Sequence, residues 1–436
     1  MSTIAAIATG PAAGGIGIIR LSGPASLSAA RRLARELPAQ PSPRHAYFTR
    51  FTDDAGSVLD EGLALYFQAP HSYTGEDVVE LHAHGAPRLL SLLLAEVLRH
   101  EAVRPATAGE FTRRAFLSGR IDLARAEAVA DLVAAESEAQ VRSAAAQLAG
   151  ELTSRLEAVH APLLALQADL EGVLDFPEEA EDADADAIPR LEACLREVHA
   201  LLADARRGVL IRRGARVVLF GPVNAGKSTL FNALAGSARA LVDAEPGTTR
   251  DTLEARLELS GLAVTLVDTA GLRETTGRIE ALGIGKTREA LAGADVAVLV
   301  LPPEASREHL AAWRAETDEA RLLEVRGKAD LANAGDLRLA VSGQTGQGLE
   351  ALRQLISTRL TAGHASAVLD SSERHLAALT QVEEALTRAR AAVEVSTLEV
   401  VAGEVGLALE ALAQLTGEDA STALLDAIFA RFCIGK

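Results

Sequence analysis

The sequence predicts a multidomain chain of mixed α/β and α class. It reads as an N-terminal α+β domain, a helical domain in two separated halves, and a mostly parallel α/β domain inserted between those halves. Three observations predict this. Short apolar strands set off by Gly/Pro turns fill the first 120 or so residues. Leu, Val and Ala recur at helical spacing, almost without Gly or Pro, over about 122–176 and again after 360. Between them, apolar strands alternate with helical stretches, the pattern of a sheet covered on both faces.

Taken in order, residues 3–8, 16–21, 62–67 and 78–82 read as strands, with a helix over 88–99. Residues 177–187 (PEEAEDADADA) are an acidic run and read as a solvated loop. A helix is expected over 188–207, and strands over 217–220, 264–267, 296–301 and 322–325. The boundaries follow as 1–120, 121–212, 213–360 and 361–436. The arginines from Arg206 to Arg216 read as a solvated linker rather than a nucleic-acid patch.

Composition narrows the function classes. The formal net charge of -17 disfavours general nucleic-acid binding, because phosphate contacts need Lys and Arg. Two distant cysteines, Cys194 and Cys433, make no disulfide framework or metal pattern and suit a reducing, cytoplasmic setting. The start of the chain shows no signal-peptide pattern, and no apolar run reaches the roughly 20 residues of a membrane span.

The chemistry is carried by phosphate motifs. Gly221-Pro222-Val223-Asn224-Ala225-Gly226-Lys227-Ser228 follows a strand and opens a helix, so backbone N–H groups can wrap phosphates at a helix N-terminus. Lys227 is expected to reach the outer phosphates and Ser228 to ligate Mg²⁺, with Asn224, Ala225, Gly226 and Thr229 completing the cradle. About 20 residues on, Pro246-Gly247-Thr248-Thr249-Arg250-Asp251 reads alone as a turn. After a P-loop it reads as a switch, with Thr249 closing on Mg²⁺ and the γ-phosphate. Asp268-Thr269-Ala270-Gly271 ends a strand; Asp268 is placed to hold Mg²⁺ through water, and the Gly271 N–H to sense the γ-phosphate.

Leu272 stands where many GTPases place a water-orienting Gln, so the hydrolytic group must come from elsewhere. Gly327-Lys328-Ala329-Asp330 takes the place of Asn-Lys-x-Asp. Asp330 can accept two hydrogen bonds from guanine, which argues against an ATPase, and Lys328 can cover the base. Ser342 and Gly343, with Gln344, sit where a backbone N–H meets the base. With Gly327 lacking the Asn amide, Gly327→Asn is expected to tighten nucleotide binding. Together these motifs identify the inserted domain as a Ras-like P-loop GTPase domain.

The whole chain resembles one family, the tRNA-modifying GTPase MnmE, also called TrmE. The resemblance rests on the GTPase motifs and on Ala8-Thr9 with Gly14-Gly15-Ile16-Gly17-Ile18-Ile19-Arg20. It rests also on His71-Ser72-Tyr73-Thr74-Gly75-Glu76-Asp77-Val78-Val79-Glu80-Leu81 and on the terminal Phe432-Cys433-Ile434-Gly435-Lys436.

The resemblance implies a homodimer that joins an FAD-dependent partner, MnmG, in a heterotetramer. The assembly modifies carbon 5 of the wobble uridine of certain tRNAs, with the tRNA held largely by the partner. The one-carbon donor is 5-formyl- or methylene-tetrahydrofolate. By the family's pattern, Arg20, Glu80, Arg120 and Lys436 match folate-contacting positions in a domain that also dimerises. Arg120 stands where Lys is expected, and Ala12-Ala13 where Gly-Arg is common. A K⁺ site is implied at Asn224, Asp243, Glu245 and Thr248, and the water-orienting acid matches Glu280. Cys433 reads as a small buried hydrophobe near the folate rather than a nucleophile. Two other readings stand beside this one: a ribosome-assembly or RNA-binding GTPase switch without modification chemistry, and a scaffold whose nucleotide only fixes dimer shape.

Overall fold

The structure is a computed structural model that describes residues 2–175, 186–237, 239–240, 254–269, 287–304, 311, 313–331, 339–361, 371–418 and 420–436. Its chain forms two compact units. The first comprises Met1–Val133, Gln147–Leu191 and Glu384–Lys436, and the second Ala134–Ala146 and Glu192–Glu383. The second is thus inserted into the sequence of the first.

The first unit holds a six-stranded sheet in the order β3-β4-β5-β2-β1-β6. Its strands are β1 (Thr3–Ile7), β2 (Gly14–Ser22), β3 (Ala46–Thr52), β4 (Val58–Phe67), β5 (Val78–Gly85) and β6 (Val103–Pro105). On β2 and β5 apolar and polar residues alternate, so one face carries Ile19, Leu21, Val79 and Leu81 into the core and the other carries Arg20, Glu80 and His82. Helices α1 (Ser26–Leu33) and α2 (Pro87–Leu98) cover the apolar face, burying Leu33, Leu90 and Leu93. Pro87 opens α2 where its missing N–H costs nothing. Part of the opposite face is closed by Phe111 of α3 (Glu110–Leu117) and by Tyr73, packed with Ile4 and Ala6.

The helices that follow are α4 (Leu123–Ala134), α5 (Glu138–Ala149), α6 (Glu151–Asp175) and α7 (Ala187–Arg213). Asp122 caps α4, its carboxylate accepting the Arg125 N–H at 2.7 Å. The basic stretch read as a linker is helix as far as Arg213, and three of its arginines pair with acids. Arg207 pairs with Asp204, Arg213 with Asp295 and Arg216 with Glu254.

The second unit holds a six-stranded sheet in the order β12-β11-β7-β10-β9-β8. Four strands are parallel: β7 (Ala215–Phe220), β10 (Leu262–Asp268), β11 (Val296–Leu301) and β12 (Leu322–Arg326). They are apolar runs because both faces are buried; all six residues of β11 are covered. The antiparallel edge consists of β8 (Arg239–Ala240) and β9 (Glu254–Leu259). Helices α8 (Lys227–Ser237) and α9 (Leu349–Thr361) belong to this unit. Then come α10 (Glu373–Val395), α11 (Leu398–Thr416), which packs on α6, and α12 (Thr422–Phe429). Among the described residues no helix is long and apolar enough to cross a membrane.

Candidate functional site

The phosphate loop hangs between β7 and α8. Gly221 begins it at φ 134°, and a Cβ there would stand 2.3 Å from the Val300 carbonyl oxygen, so only glycine fits. Asn224 and Gly226 also have positive φ, 61° and 96°, which bends the loop into the first turn of α8. The first N–H groups of a helix have no acceptor within it, which makes the N-terminus of α8, where the loop ends, suited to an anion. Lys227 lays its ammonium across the loop, donating to the carbonyls of Gly221 (3.1 Å) and Pro222 (2.8 Å). Ser228 follows in the same turn.

Asp268 is the last residue of β10, level with Leu219 of β7 and buried. It therefore stands at the sheet edge from which the loop springs. Thr269 is turned inward: its N–H and its Oγ1 both donate to the Leu219 carbonyl, at 3.2 and 3.0 Å. A serine hydroxyl and a carboxylate are hard oxygen donors, the kind Mg²⁺ takes.

The loop that carries Gly327 to Asp330, the candidate base-recognition loop, follows β12. The Gly327 N–H donates to the Leu301 carbonyl at 2.8 Å, and Ala329 N–H to Val341 at 3.1 Å. Lys328 has φ 56°, and its Cγ lies 3.6 Å from where a Gly226 Cβ would be, so its stem lies along the phosphate loop. The Asp330 carboxylate accepts from the Ser342 hydroxyl, which in turn accepts the N–H groups of Gln344 and Thr345 at 3.2 Å each. Gly343 lies against the Thr229 backbone, 2.6 Å from a notional Cβ.

The surroundings of Gly327 argue against the expectation attached to it. A Cβ at this residue would sit 2.2 Å from the Ala225 carbonyl oxygen, so the loop backbone already fills the space an Asn side chain would need.

The structure thus groups Asn224, Ala225, Gly226, Lys227, Ser228, Thr229, Lys328, Asp330, Ser342 and Gly343 around one loop system, with Asp268 and Thr269 at the end of the neighbouring strand. Asp243, Glu245, Thr248, Thr249, Ala270, Gly271 and Glu280 lie outside the described residues.

A second polar site lies in the first unit. Arg20 on β2 faces Glu80 on β5, with Nε 2.9 Å from the carboxylate. The Arg20 guanidinium also donates to the Gly435 carbonyl at 3.3 Å, and lies 5.7 Å from the ring centres of Tyr73 and Phe111. His82 bonds the other Glu80 oxygen at 3.2 Å. Burial opposes ionisation of Glu80, but the His82 hydrogen bond and the Arg20 charge outweigh it and hold the carboxyl below its usual range.

The tail reaches this site because Ile434 bridges to Ala108 and Gly435, at φ 102°, lies flat against the Ile7 backbone. Lys436 follows directly. Arg120 packs its Cγ 3.4 Å from the notional Cβ of Gly75, two residues beyond Tyr73. The Cys433 side chain is exposed rather than buried, and its carbonyl accepts from the Gly109 and Lys436 N–H groups, both at 3.4 Å.

Sequence reading singled out the segment from His71 to Leu81 and assigned a role only to Glu80 within it. Ser22 bonds Thr74 and Glu76, and Glu76 bonds Arg114, whose guanidinium also reaches Glu110 and the Ser2 carbonyl. The segment is a buried polar frame that presents Tyr73. His82 was legible in principle, since two residues along a strand restore the face of Glu80.

A profile described as the MnmE helical domain matches residues 123–433, and one described as the GTP-binding protein TrmE N-terminus matches residues 3–120. A tRNA modification GTPase MnmE of Myxococcus xanthus is 62% identical over 436 residues, 100% of this chain and 99% of that protein. One from Azoarcus sp. is 44% identical over 449 residues, covering 99% and 98%. Among solved structures, the G domain of the T. maritima FeoB iron transporter is 25% identical, with a TM-score of 0.26, covering 33% of this chain and 98% of that one.

Proposed function

The chain belongs to the MnmE family of tRNA modification GTPases and is a GTP hydrolase, and from that premise we propose that it modifies tRNA at the wobble position. The substrate position is carbon 5 of the uridine, the one-carbon donor a tetrahydrofolate (5-formyl or methylene), and the partner an FAD-dependent protein of the MnmG kind. The chain works as a homodimer in the cytoplasm, within a heterotetramer whose partner holds most of the tRNA. Its working divisions are 1–120 for folate and dimerisation, 121–212 and 361–436 for the helical domain, and 213–360 for the GTPase.

In hydrolysis, Lys227 and the N–H groups of the phosphate loop hold the β- and γ-phosphates. Ser228, Thr249 and Asp268 would hold Mg²⁺, while the Lys328 stem would cover guanine and Asp330 would select it. When bound, Mg²⁺ and K⁺ supply positive charge against the phosphate oxygens. Asn224, Asp243, Glu245 and Thr248 supply oxygens for K⁺, and the exposed, positive-φ setting of Asn224 suits that role. Glu280 orients the attacking water. In the first unit, Arg20, Glu80, Arg120 and Lys436 hold the folate.

The observation that carries the reading beyond GTP hydrolysis is the Arg20–Glu80 pair with the Gly435 carbonyl upon it. A switch that only binds and releases nucleotide has no use for a half-buried ion pair tied to the segment around Gly435. Mass spectrometry of wobble nucleosides tests the reading. Cells lacking the protein should lose the carbon-5 modification and regain it with the wild-type gene, but not with Arg20→Ala. Unchanged nucleosides would leave the ribosome-assembly switch as the better reading.

A further inference from the structure

Residues 134–146 precede the long helices in sequence, yet they belong to the α/β unit. Ser137 and Gln140 start α5 as a capping box. Gln140 Oε1 accepts the N–H groups of Glu136 (2.8 Å) and Ser137 (3.0 Å), and Ser137 Oγ accepts that of Gln140 (3.4 Å). Capping uses only the oxygen of the Gln140 amide. Its Nε2 donates to the Arg212 carbonyl at 3.1 Å. The neighbouring Ala139 N–H donates to the Gly261 carbonyl at 3.0 Å, and its methyl packs on the core cluster beside Leu210, Ile211 and Ala255.

The two acceptors mark the starts of two strands. Arg212 lies in the last turn of α7, just before β7, and β7 delivers the phosphate loop. Ser260 and Gly261, with φ 51° and 83°, form the two-residue turn that opens β10, and β10 ends at Asp268. The two strands are parallel neighbours, from Val264 beside Ala215 to Asp268 beside Leu219. Gln140 and Ala139 therefore grip β7 and β10 at one end, while the phosphate loop and Asp268 occupy the other, roughly 15–20 Å away. Strands buried in a close-packed core pass a displacement along their length instead of absorbing it. The hairpin of β9 and β10 also lies in sequence between the segments that carry Thr249 and Gly271.

We propose that Gln140 is a positioning residue for GTP hydrolysis: it clamps the starts of β7 and β10, fixes Asp268 relative to the phosphate loop, and is loaded differently in the GTP- and GDP-bound states. The proposal rests on the GTPase site alone and stands apart from the tRNA reading.

The test uses the full chain. Gln140→Glu keeps the capping oxygens but has no N–H to give the Arg212 carbonyl. Both Gln140→Glu and Gln140→Ala should lower kcat by about threefold to tenfold while GDP affinity stays within about twofold. Gln140→Glu should melt where wild type does. If Gln140 merely caps α5, Gln140→Glu will turn over GTP like wild type and only Gln140→Ala will lose stability. A second readout is amide exchange at Ala139, whose N–H lies in the first turn of α5 with no acceptor inside the helix, so its protection reports the Gly261 bond. In wild type that exchange should differ by about threefold or more between GDP and a non-hydrolysable GTP analogue; in Gln140→Glu the difference should vanish. A wild-type rate in Gln140→Glu, or exchange at Ala139 indifferent to nucleotide, overturns the proposal.

Discussion

The Arg20 guanidinium donates to the Gly435 carbonyl at 3.3 Å, binding the second strand of the chain to its penultimate residue. The contact depends on glycine. At φ 102°, with the Ile7 carbonyl oxygen 2.3 Å from a notional Cβ, Gly435 has no room for a side chain. Gly435→Ala should lift the tail from Arg20 and weaken 5-formyl-tetrahydrofolate binding by about tenfold or more. Deleting residues 434–436 should do the same while leaving buried Phe432 in place. GTP binding should be spared in both. Unchanged folate affinity in the shortened protein would take the tail out of the site.

Acid should loosen the first unit through Glu110. Burial works against its ionisation, but hydrogen bonds from Arg104, the Thr107 N–H and Arg114 win and lower its pKa to about 2 from 4.5. A carboxyl depressed in the folded state adds stability above its unfolded pKa and loses it as pH falls through the folded one. The loss should therefore run from about pH 4.5 down to about 2. Its size should be about 1–2 kcal/mol, below the full shift because Arg104 is nearly half exposed. Denaturant titration should show Glu110→Gln less stable at pH 7 and flatter across that window. Parallel curves for the two proteins would remove Glu110 as the cause.

What the sequence made legible was local. β7, β10, β11 and β12 are apolar runs because both their faces are buried, and the phosphate loop announces itself by spacing. β3 and β9 were missed because each mixes charges such as Arg50 or Glu254 into a short segment at or next to a sheet edge. Arg213 and Arg216 looked like linker charges because the acids that pair with them, Asp295 and Glu254, lie 82 and 38 residues away. Distance in sequence hid the Glu76–Arg114 frame and the Arg20–Gly435 contact for the same reason. The crowding at Gly327 was invisible because it is made by the backbone of Ala225.

Hydrolysis should depend on K⁺. Asn224 stands in the phosphate loop at φ 61° and is exposed. Turnover in K⁺ should exceed that in Na⁺ by about tenfold, or about 1.4 kcal/mol of barrier. Asn224→Ala should erase the difference. Equal rates in the two salts at matched ionic strength would count decisively against a K⁺ site.

Glu280 should govern rate and not affinity. Leu272 cannot polarise water, and on the proposed reading Glu280 takes that step. Glu280→Ala should slow saturated turnover by about a hundredfold with GTP affinity nearly constant. A collapse of affinity with the saturated rate intact would assign Glu280 to nucleotide binding instead.

Gly327 makes the opposite prediction from the one its sequence position suggests. Compared with Asn, glycine forfeits a side-chain amide that could tie the base loop to the phosphate loop. Here the two loops meet directly. The Ala225 carbonyl oxygen lies 2.2 Å from the notional Cβ and Val300 Cγ1 lies 3.1 Å from it. The nearer neighbour is backbone and cannot swing aside as a side chain could. Ala225 is itself fully buried, and the Gly327 N–H is fastened to Leu301 at 2.8 Å, so neither loop yields cheaply. Any side chain at 327 must push the base loop off the phosphate loop. Overpacking of this kind costs about 1–3 kcal/mol. The hydrogen bond an Asn amide might recover returns only about 0.5–1.5 kcal/mol. The loss wins. Gly327→Asn should therefore bind GTP and GDP more weakly, by about tenfold, and Gly327→Ala, which has the crowding without the amide, should be weaker still. Preference for guanine over adenine should persist, because Asp330 remains fastened by Ser342. Calorimetric titration of both nucleotides against the three proteins decides the matter. An Asn variant that binds more tightly than wild type would mean that the phosphate loop moves aside on binding, and that the missing amide, not the crowding, sets affinity.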